Sequence, residues 1–362
     1  MEYIFKDVLD IKNGKNQREV ECPDGQYPIY GSGGVMGYAS DYICEADTVI
    51  IGRKGSINNP IYAEEPFWNV DTAFGLCAKK DILLPKYLFY FCIKFDFERL
   101  NRTVTIPSLT KSDLLKIKIQ VPSLDVQQEV IDKLTKIESI LNFRKQELKL
   151  LDELVRGRFV ELFGDPVVNS KGWEMVELGE LTGIGSSKRI FEKEYVSDGI
   201  PFYRTKEIVE LSKGNTISTE LFITEERYAE IKEKYGVPKT GDLLISAVGT
   251  IGIIWIVDGE NEFYFKDGNL IRVDGSEKFN SVYLKNLLEC LIDEYKKRMS
   301  VGTAYAALTI SGLAKMKVYN APIELQNQFA DFAHQVDKSK FRGLSMLTTI
   351  KSAYDQQTFI YP

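Results

Sequence analysis

Residues 109–130 read LTKSDLLKIKIQVPSLDVQQEV, and residues 308–329 read LTISGLAKMKVYNAPIELQNQF. The two stretches align without a gap at an offset of 199 residues, and seven of the 22 positions are identical. A weaker similarity precedes them, since residues 47–57 resemble residues 242–251 with one gap. Self-similarity in the same order across both halves indicates a duplicated module. The sequence therefore predicts two copies of one unit.

Each copy ends in a stretch with the periodicity of a long helix. Residues 123–163 contain no proline, and apolar residues recur there at steps of three, four and seven, which is typical of a coiled-coil seam. The predicted seam comprises Val126, Val130, Leu134, Ile137, Leu141, Leu148, Leu151 and Val155 in the first helix and Leu325, Phe329, Val336, Leu347, Ile350 and Tyr354 in the second. Lys340 and Gly343 interrupt the second stripe. Two matching stripes most simply pack on each other; the alternative is that each helix lies on its own globular domain.

The globular parts combine short strands with separate helices. Strands are predicted at 27–30, 47–51 and 61–62, with counterparts at 200–203, 243–247 and 253–257, and helices near 85–100, 225–235 and 282–299. The predicted fold class is α+β, with two globular domains separated by two long helices that we expect to form an antiparallel coiled coil. The predicted boundaries are 1–122 and 164–322 for the globular domains, and 123–163 and 323–362 for the helices.

The composition excludes several kinds of site. One histidine, His334, cannot form a multi-histidine metal site, and the five cysteines form no CxxC pair. We therefore expect no metal site, no disulfide framework and no cofactor. The net charge of −6 excludes a simple polybasic nucleic-acid binder. No signal peptide or membrane-length apolar run is visible, so we expect a soluble, cytoplasmic protein.

Several motifs carry a family likeness. Residues 159–166 (FVELFGDP), 171–174 (KGWE) and 178–180 (LGE) resemble the junction between the halves of type I restriction–modification specificity subunits, the HsdS family. The pattern LTxSxLxKxK, followed by a proline and a glutamine-rich helix start, occurs twice and resembles the same family. Residues 27–34 (YPIYGSGG) and 200–204 (IPFYR) resemble openings of its target recognition domains. The likeness covers nearly the whole chain.

The resemblance implies a function. Each globular domain is expected to be a target recognition domain that reads one half of a split sequence in double-stranded DNA. The helices are expected to hold the two domains a fixed distance apart and to dock methyltransferase (M) subunits that modify adenine. The complex would also include endonuclease/translocase (R) subunits, and the chain itself is expected to be a non-catalytic DNA-binding subunit.

One near-match to a catalytic motif, Asn59-Pro60-Ile61-Tyr62, differs by one residue from the Asn-Pro-Pro-Tyr of adenine methyltransferases and has no accompanying cofactor loop.

Candidate DNA contacts are basic, amide and hydroxyl side chains in or near loops. Arg and Lys suit phosphate and guanine, whereas Asn suits adenine. The candidates are Lys12, Asn13, Lys15, Asn16, Arg53, Lys54, Asn58 and Thr103 in the first half, and Lys188, Arg189, Arg204, Lys206, Asn269, Thr303 and Tyr305 in the second. The glycine-rich run at 31–34 misses the spacing of a dinucleotide-binding loop and is predicted to be a hairpin turn.

Two alternatives remain open at the level of the sequence. The chain could be the recognition half of a single-chain restriction-methylation enzyme, which requires a methyltransferase domain on the same polypeptide, whereas this sequence begins with reader-like residues. It could also be a coiled-coil scaffold that binds proteins and no DNA. The scaffold predicts no salt-sensitive association with DNA, even when partner subunits are present.

Overall fold

The computed structural model describes residues 1–101, 106–299 and 307–357. The chain divides into two compact units. The first unit comprises residues 1–146 and 343–362, and the second comprises residues 147–342. The long helices therefore contribute to both units, because the first unit contains the start of one and the end of the other.

The described residues form short strands, short helices and two long helices. The strands are β1 (Glu2–Ile4), β2 (Leu9–Asn13), β3 (Tyr27–Gly31), β4 (Gly34–Ala39), β5 (Thr48–Gly52), β6 (Ile61–Ala63), β7 (Trp68–Asn69), β8 (Ala73–Ala78), β9 (Lys118–Gln120), β10 (Met175–Glu177), β11 (Ile184–Gly185), β12 (Ile200–Tyr203), β13 (Phe222–Ile223), β14 (Leu243–Ser246), β15 (Ile254–Ile256), β16 (Tyr264–Phe265), β17 (Leu270–Val273) and β18 (Lys317–Tyr319). The helices are α1 (Phe5–Val8), α2 (Pro85–Lys94), α3 (Lys111–Leu114), α4 (Leu124–Phe163), α5 (Leu178–Leu181), α6 (Thr205–Ser212), α7 (Glu225–Lys234), α8 (Ser281–Met299), α9 (Ile310–Ala314) and α10 (Ile323–Gln357). Single 3-10 turns lie at Phe97–Leu100 and Glu192–Glu194.

The two units repeat one strand order. In the first, the four-stranded sheet runs β2-β8-β5-β6, the three-stranded sheet β4-β3-β7, and β1 pairs with β9. In the second, the same positions are occupied by β11-β17-β14-β15, by β13-β12-β16 and by β10 with β18. In both three-stranded sheets, the central strand has one antiparallel and one parallel neighbour. The predicted duplication is therefore confirmed strand by strand, and so is the α+β class.

The units differ after the central strand of the three-stranded sheet. In the first, β3 leads through residues 32–33 directly into β4, so the predicted hairpin turn is confirmed. In the second, α6 lies between β12 and β13, and α7 follows β13. The predicted helices near 85–100, 225–235 and 282–299 correspond to α2 with its 3-10 turn, to α7 and to α8.

Each unit has an apolar core that includes a face of α4. In the first unit, Leu134 joins a core with Phe5, Leu76 and Leu88. In the second, Phe159 and Phe163 of α4 pack on Phe329 of α10 and on Tyr283 of α8, with ring centroids 4.7–5.8 Å apart. Burying aromatic rings of this size dominates core energetics, so the end of α4 and the start of α10 are anchored in the core of the second unit.

Within each unit, α4 and α10 run antiparallel, as expected. In the first unit, Tyr354 donates to Glu138 over 3.1 Å, and Arg144 lies 3.9 Å from the Met346 sulfur. In the second unit, residues of α4 with higher numbers meet residues of α10 with lower numbers. Lys340 forms a 2.6 Å ion pair with Asp152, the Arg158 guanidinium lies 5.8 Å from the Phe332 ring centre, and Phe159 meets Phe329.

The structure gives the predicted seam residues the following accessibilities. Leu134, Val155, Phe329 and Val336 are buried, and Val126, Val130, Ile137, Leu141, Leu148, Leu151, Leu325, Leu347, Ile350 and Tyr354 are half-buried. Lys340, which interrupts the apolar stripe, pairs with Asp152 across the helix pair and with Asp337 on its own helix. The interruption is thus occupied by an interhelical ion pair, while Gly343 is buried.

Candidate nucleic-acid interface

Two candidate loops of the first unit meet at one end of its four-stranded sheet. Strand β8 pairs antiparallel with β2 on one side and with β5 on the other. Asn13 at the end of β2 is paired with Phe74, and Gly52 at the end of β5 is paired with Ala73. The loops that follow β2 and β5 therefore lie side by side, although they are about forty residues apart in the sequence.

The connection between β7 and β8 holds both loops. The backbone N–H of Lys15 donates to the Asn69 carbonyl over 2.9 Å, and that of Arg53 donates to the Thr72 carbonyl over 2.7 Å. The Trp68 indole donates to the carbonyl of Lys15 over 3.1 Å. These hydrogen bonds fix the backbone path of each loop, so that its side chains are free to lie in solvent.

Most candidates of the first unit are exposed at the end of β2 or on the two loops. They are Lys12, Asn13, Lys15, Asn16, Arg53 and Lys54. The Arg53 guanidinium lies 5.8 Å from the centre of the Phe74 ring and donates to the Asp71 carbonyl over 3.4 Å. Exposed cations on ordered loops can approach phosphates, and the asparagines between them can reach base edges.

Asn58 has a different environment from the other candidates. Its Nδ2 donates to Asp96 over 3.0 Å, and its Oδ1 accepts from the backbone N–H of Phe97 over 2.7 Å. Both ends of the amide are thus engaged within the unit, and the hydrogen bond from Asn58 is the main cause that lowers the pKa of Asp96. Thr103 lies outside the described residues, as do Thr303 and Tyr305 of the second half.

The second unit repeats the arrangement with different side chains. The Ser186 hydroxyl, just past β11, donates to the Leu270 carbonyl over 3.2 Å, and Ala247, just past β14, donates its N–H to the Asn269 carbonyl over 2.8 Å. Lys188 and Arg189 follow on the first of these loops and are exposed. Arg189 pairs with Asp267 over 2.7 Å, and Lys188 Nζ lies 5.2 Å from the centre of the Tyr235 ring.

Three candidates of the second unit line one cavity of about 350 Å³. They are Arg204, Lys206 and Asn269, and Lys266 lines it as well. Lys266 was not among the candidates, although it directly precedes the Asp267-Gly268-Asn269 turn. The backbone N–H of Lys266 donates to the carbonyl of Tyr203 over 2.9 Å, and this parallel pairing of β12 with β16 brings the residue beside Arg204.

Arg204 is neutralised by a buried partner. Its Nη2 lies 2.9 Å from Glu207 Oε1, and its backbone N–H donates to Glu207 Oε2 over 2.8 Å. Burial raises the pKa of Glu207, which is 2 % exposed, but the hydrogen bonds from Arg204 and from the Glu207 backbone, together with the Arg204 charge, lower it by more, so the pKa lies below its ordinary value. The guanidinium is thereby held in place, and the positive charges left at the cavity are those of Lys206 and Lys266.

Tyr62, the last residue of the near-match to a methyltransferase motif, contacts other side chains of the first unit. The Tyr62 hydroxyl donates to Asp47 over 3.0 Å, and Lys86 Nζ lies 5.9 Å from the centre of its ring.

Within residues 1–101, 106–299 and 307–357, no group of three or more His, Cys, Asp or Glu side chains is placed to hold a metal ion. The same part of the chain contains no helix with the length and apolar character needed to cross a membrane.

Comparison with known proteins gives one family. The family model for the type I restriction modification DNA specificity domain matches residues 1–152 and 170–343. A Haemophilus influenzae protein whose name places it among type I restriction enzyme specificity subunits is 29 % identical over 313 residues, which are 84 % of this chain and 78 % of that protein. The type I restriction enzyme MjaVIII specificity subunit of Methanocaldococcus jannaschii is 24 % identical over 316 residues, 81 % of this chain and 70 % of that protein.

Solved structures share the fold. The S subunit of a type I restriction-modification system from M. genitalium superposes with a TM-score of 0.63 at 18 % identity, over 100 % of this chain and 96 % of that one. These findings support the specificity-subunit interpretation over the scaffold and the single-chain enzyme. The chain belongs to the type I restriction modification DNA specificity family, with one copy of the domain in each half, and its function is DNA sequence recognition in such a system.

Proposed function

We propose that each unit reads one half of a split DNA sequence. The first unit does so with the loops at one end of its four-stranded sheet, and the second with loops at the ends of its four-stranded and three-stranded sheets. One observation carries this proposal. The same strand order in both units brings together basic and amide side chains that are far apart in the sequence. These are the 12–16 and 53–54 loops in the first unit, and Lys188, Lys206, Lys266 and Asn269 in the second.

The charges suit a reader that works inside a complex. Cations at each loop cluster can neutralise phosphates and set the register, while asparagines offer a donor and an acceptor to adenine. A chain with a net charge of −6 gains little sequence-independent affinity, because phosphate neutralisation supplies most of that affinity. Two recognition domains on one chain compensate for this weak affinity. Once one domain has bound its half-site, the other is held at a high effective concentration near the second half-site.

We further propose that the chain supplies specificity and no catalysis. Adenine methyltransferase subunits and endonuclease/translocase subunits would then perform the chemistry on the DNA that this chain selects. A neighbouring structure with a TM-score of 0.59 at 14 % identity is described as a basis for complex assembly and conformational transition of the type I R-M system, which supports such partners. We propose that the complex acts on DNA in the cytoplasm.

The test is a methylome. The chain is co-expressed with a matching methyltransferase subunit in a host without adenine methylation, and the genomic DNA is sequenced for N6-methyladenine. We expect one split motif with a fixed gap, and none when the methyltransferase subunit is expressed alone. A stable complex that leaves the DNA unmethylated, or methylates it without a split motif, would overturn the proposal.

A further inference from the structure

The β3–β4 hairpin of the first unit presents apolar side chains to solvent at its tip. Val35 is 52 % exposed and Met36 is 57 % exposed. Gly31 pairs with Gly34 and Tyr30 with Val35, so the turn consists of Ser32 and Gly33. Neither the core nor the strand pairing accounts for two large apolar side chains in water at a hairpin tip.

The hairpin tip packs on the basic loop that follows β5. A Cβ atom at Gly52 would lie 3.0 Å from the Cβ of Ser32, and one at Gly55 would lie 3.7 Å from its hydroxyl. Arg53 and Lys54 lie between these two glycines. The close approach of Ser32 therefore places the apolar tip beside the two exposed cations.

A second set of contacts joins the tip to the β7–β8 connection. The backbone N–H of Val70 donates to the carbonyl of Tyr30 over 3.0 Å, and a Cβ at Gly31 would lie 3.3 Å from the Met36 sulfur and 3.7 Å from a Val70 methyl. The same connection holds Lys15 through Asn69. The apolar tip and both candidate loops thus rest on one short segment.

This combination suits the major groove of DNA. That groove admits a two-stranded antiparallel ribbon. Strand β4 is an edge strand of its three-stranded sheet, and residues 20–22 bond along its last residues, Tyr38 and Ala39, rather than at the tip. The flanking cations can contact phosphates on either side of a ribbon that enters the groove. Within the groove, the C5 methyl of thymine is the group that an apolar side chain can recognise.

We propose that Val35 and Met36 contact thymine methyl groups in the half-site read by the first unit. The inference rests on the proposed function and names two further specificity residues for it. The corresponding position after β12 in the second unit is occupied by Arg204 and α6. The two readers would therefore differ in chemistry at one equivalent place: apolar in the first, and polar in the second, where Arg204 is paired with Glu207.

The test uses the complete complex of the chain with its methyltransferase subunit, after the methylome has given the split motif. Duplexes in which one thymine at a time is replaced by deoxyuridine, which lacks only the C5 methyl, are compared for methylation rate. We expect one or two positions, all in one half-site, where the replacement lowers the rate about three- to five-fold, as the loss of one buried methyl group would. The doubly substituted chain, Val35→Ser with Met36→Ser, should show the lower rate on both duplexes and no longer distinguish them. Val168→Ser is the matched control, because Val168 is also an exposed valine (70 %) but lies in the loop after α4.

The outcomes separate this inference from the proposed function. If the wild-type complex gives no split motif, the proposed function fails and the inference fails with it. If the motif exists but no thymine is sensitive to deoxyuridine, the inference alone is wrong. It is also wrong if the double variant keeps the full preference for thymine, or if it slows methylation of every sequence equally without changing that preference. The deoxyuridine comparison on the wild-type complex does not depend on the variant folding.

Discussion

Gln127 accepts a hydrogen bond from the backbone N–H of Leu84, with 2.8 Å between Oε1 and the nitrogen. Its Nε2 donates to the carbonyls of Ile82 and Pro122, both over 2.9 Å, and the side chain is fully buried. At an offset of 199 residues, Gln326 accepts from the N–H of Asn280 over 2.8 Å and donates to the carbonyl of Ala321 over 2.7 Å. In each unit, one amide thus ties the residue before a globular helix to the start of a long helix.

We expect removal of this amide to destabilise its unit. Gln127→Ala removes the partner of the Leu84 N–H and of two carbonyls, all on half-buried residues, which should cost about 2–3 kcal/mol in the free energy of unfolding. The matched control is Gln128→Ala, because Gln128 is exposed and donates to Asp132 on its own helix. Urea denaturation of both variants checks the prediction. Equal midpoints for the two would show that the buried amide contributes nothing beyond helix propensity.

A second prediction concerns the phosphate contacts of the first unit. Arg53→Gln with Lys54→Gln should weaken binding of the assembled complex to all sequences alike and reduce the slope of log K against log salt by roughly 2, since two phosphate contacts are lost. Lys79→Gln with Lys80→Gln is the control, because these lysines follow the other end of β8. Titrations at several salt concentrations measure the slopes. An unchanged slope in the Arg53–Lys54 variant would remove both residues from the interface.

The third prediction is a pH dependence of the second unit. Glu207 has a pKa below its ordinary value, so it stabilises the fold above the unfolded pKa and loses that effect as the pH falls through the folded pKa. Glu207→Gln should therefore cost about 2 kcal/mol at pH 7, and the difference from wild type should shrink below about pH 4. Glu260→Gln, at an exposed loop position, is the control substitution and should cost little stability at pH 7. The free energy of unfolding is measured for wild type and Glu207→Gln at intervals from pH 7 to pH 3. A difference between them that stays constant over this range would contradict the assignment of the stability to the Glu207 carboxylate.

The fourth prediction separates two exposed asparagines of the first unit. Asn58→Ala should lower stability by about 1 kcal/mol, because the N–H of Phe97 loses its acceptor, and should leave the methylated motif unchanged. Asn13→Ala removes an exposed amide at the end of β2 and should relax the preference at one base pair with little change in stability. Thermal unfolding and the methylome are measured for both. A changed methylation motif in the Asn58→Ala variant would show that the prediction is wrong and that Asn58 takes part in DNA recognition.

The sequence by itself determined the duplication, the α+β class and the two long helices. Local patterns suffice for these features: the repeat is visible as identities at a constant offset, and helical periodicity depends on residues three, four and seven apart. The hairpin at 31–34 was also predictable, because glycine-rich turns between two β-rich runs act over only a few residues. Even the identity of Gln127 with Gln326 was visible, although its role as a buried tie was not.

Only the tertiary structure decided which side chains meet. Strand β8 brings the 12–16 loop beside Arg53 because it pairs with both β2 and β5, and such long-range pairing leaves no local pattern in either loop. Asn58 and Asn13 are both exposed asparagines, yet the two ends of the Asn58 amide are bonded to Asp96 and to the backbone of Phe97, nearly forty residues away. Likewise, Asp152, one of the two partners of Lys340, lies nearly two hundred residues away, and this ion pair depends on how two helices face each other. Periodicity identifies elements, whereas hydrogen bonds and ion pairs between distant elements are set by their packing in three dimensions.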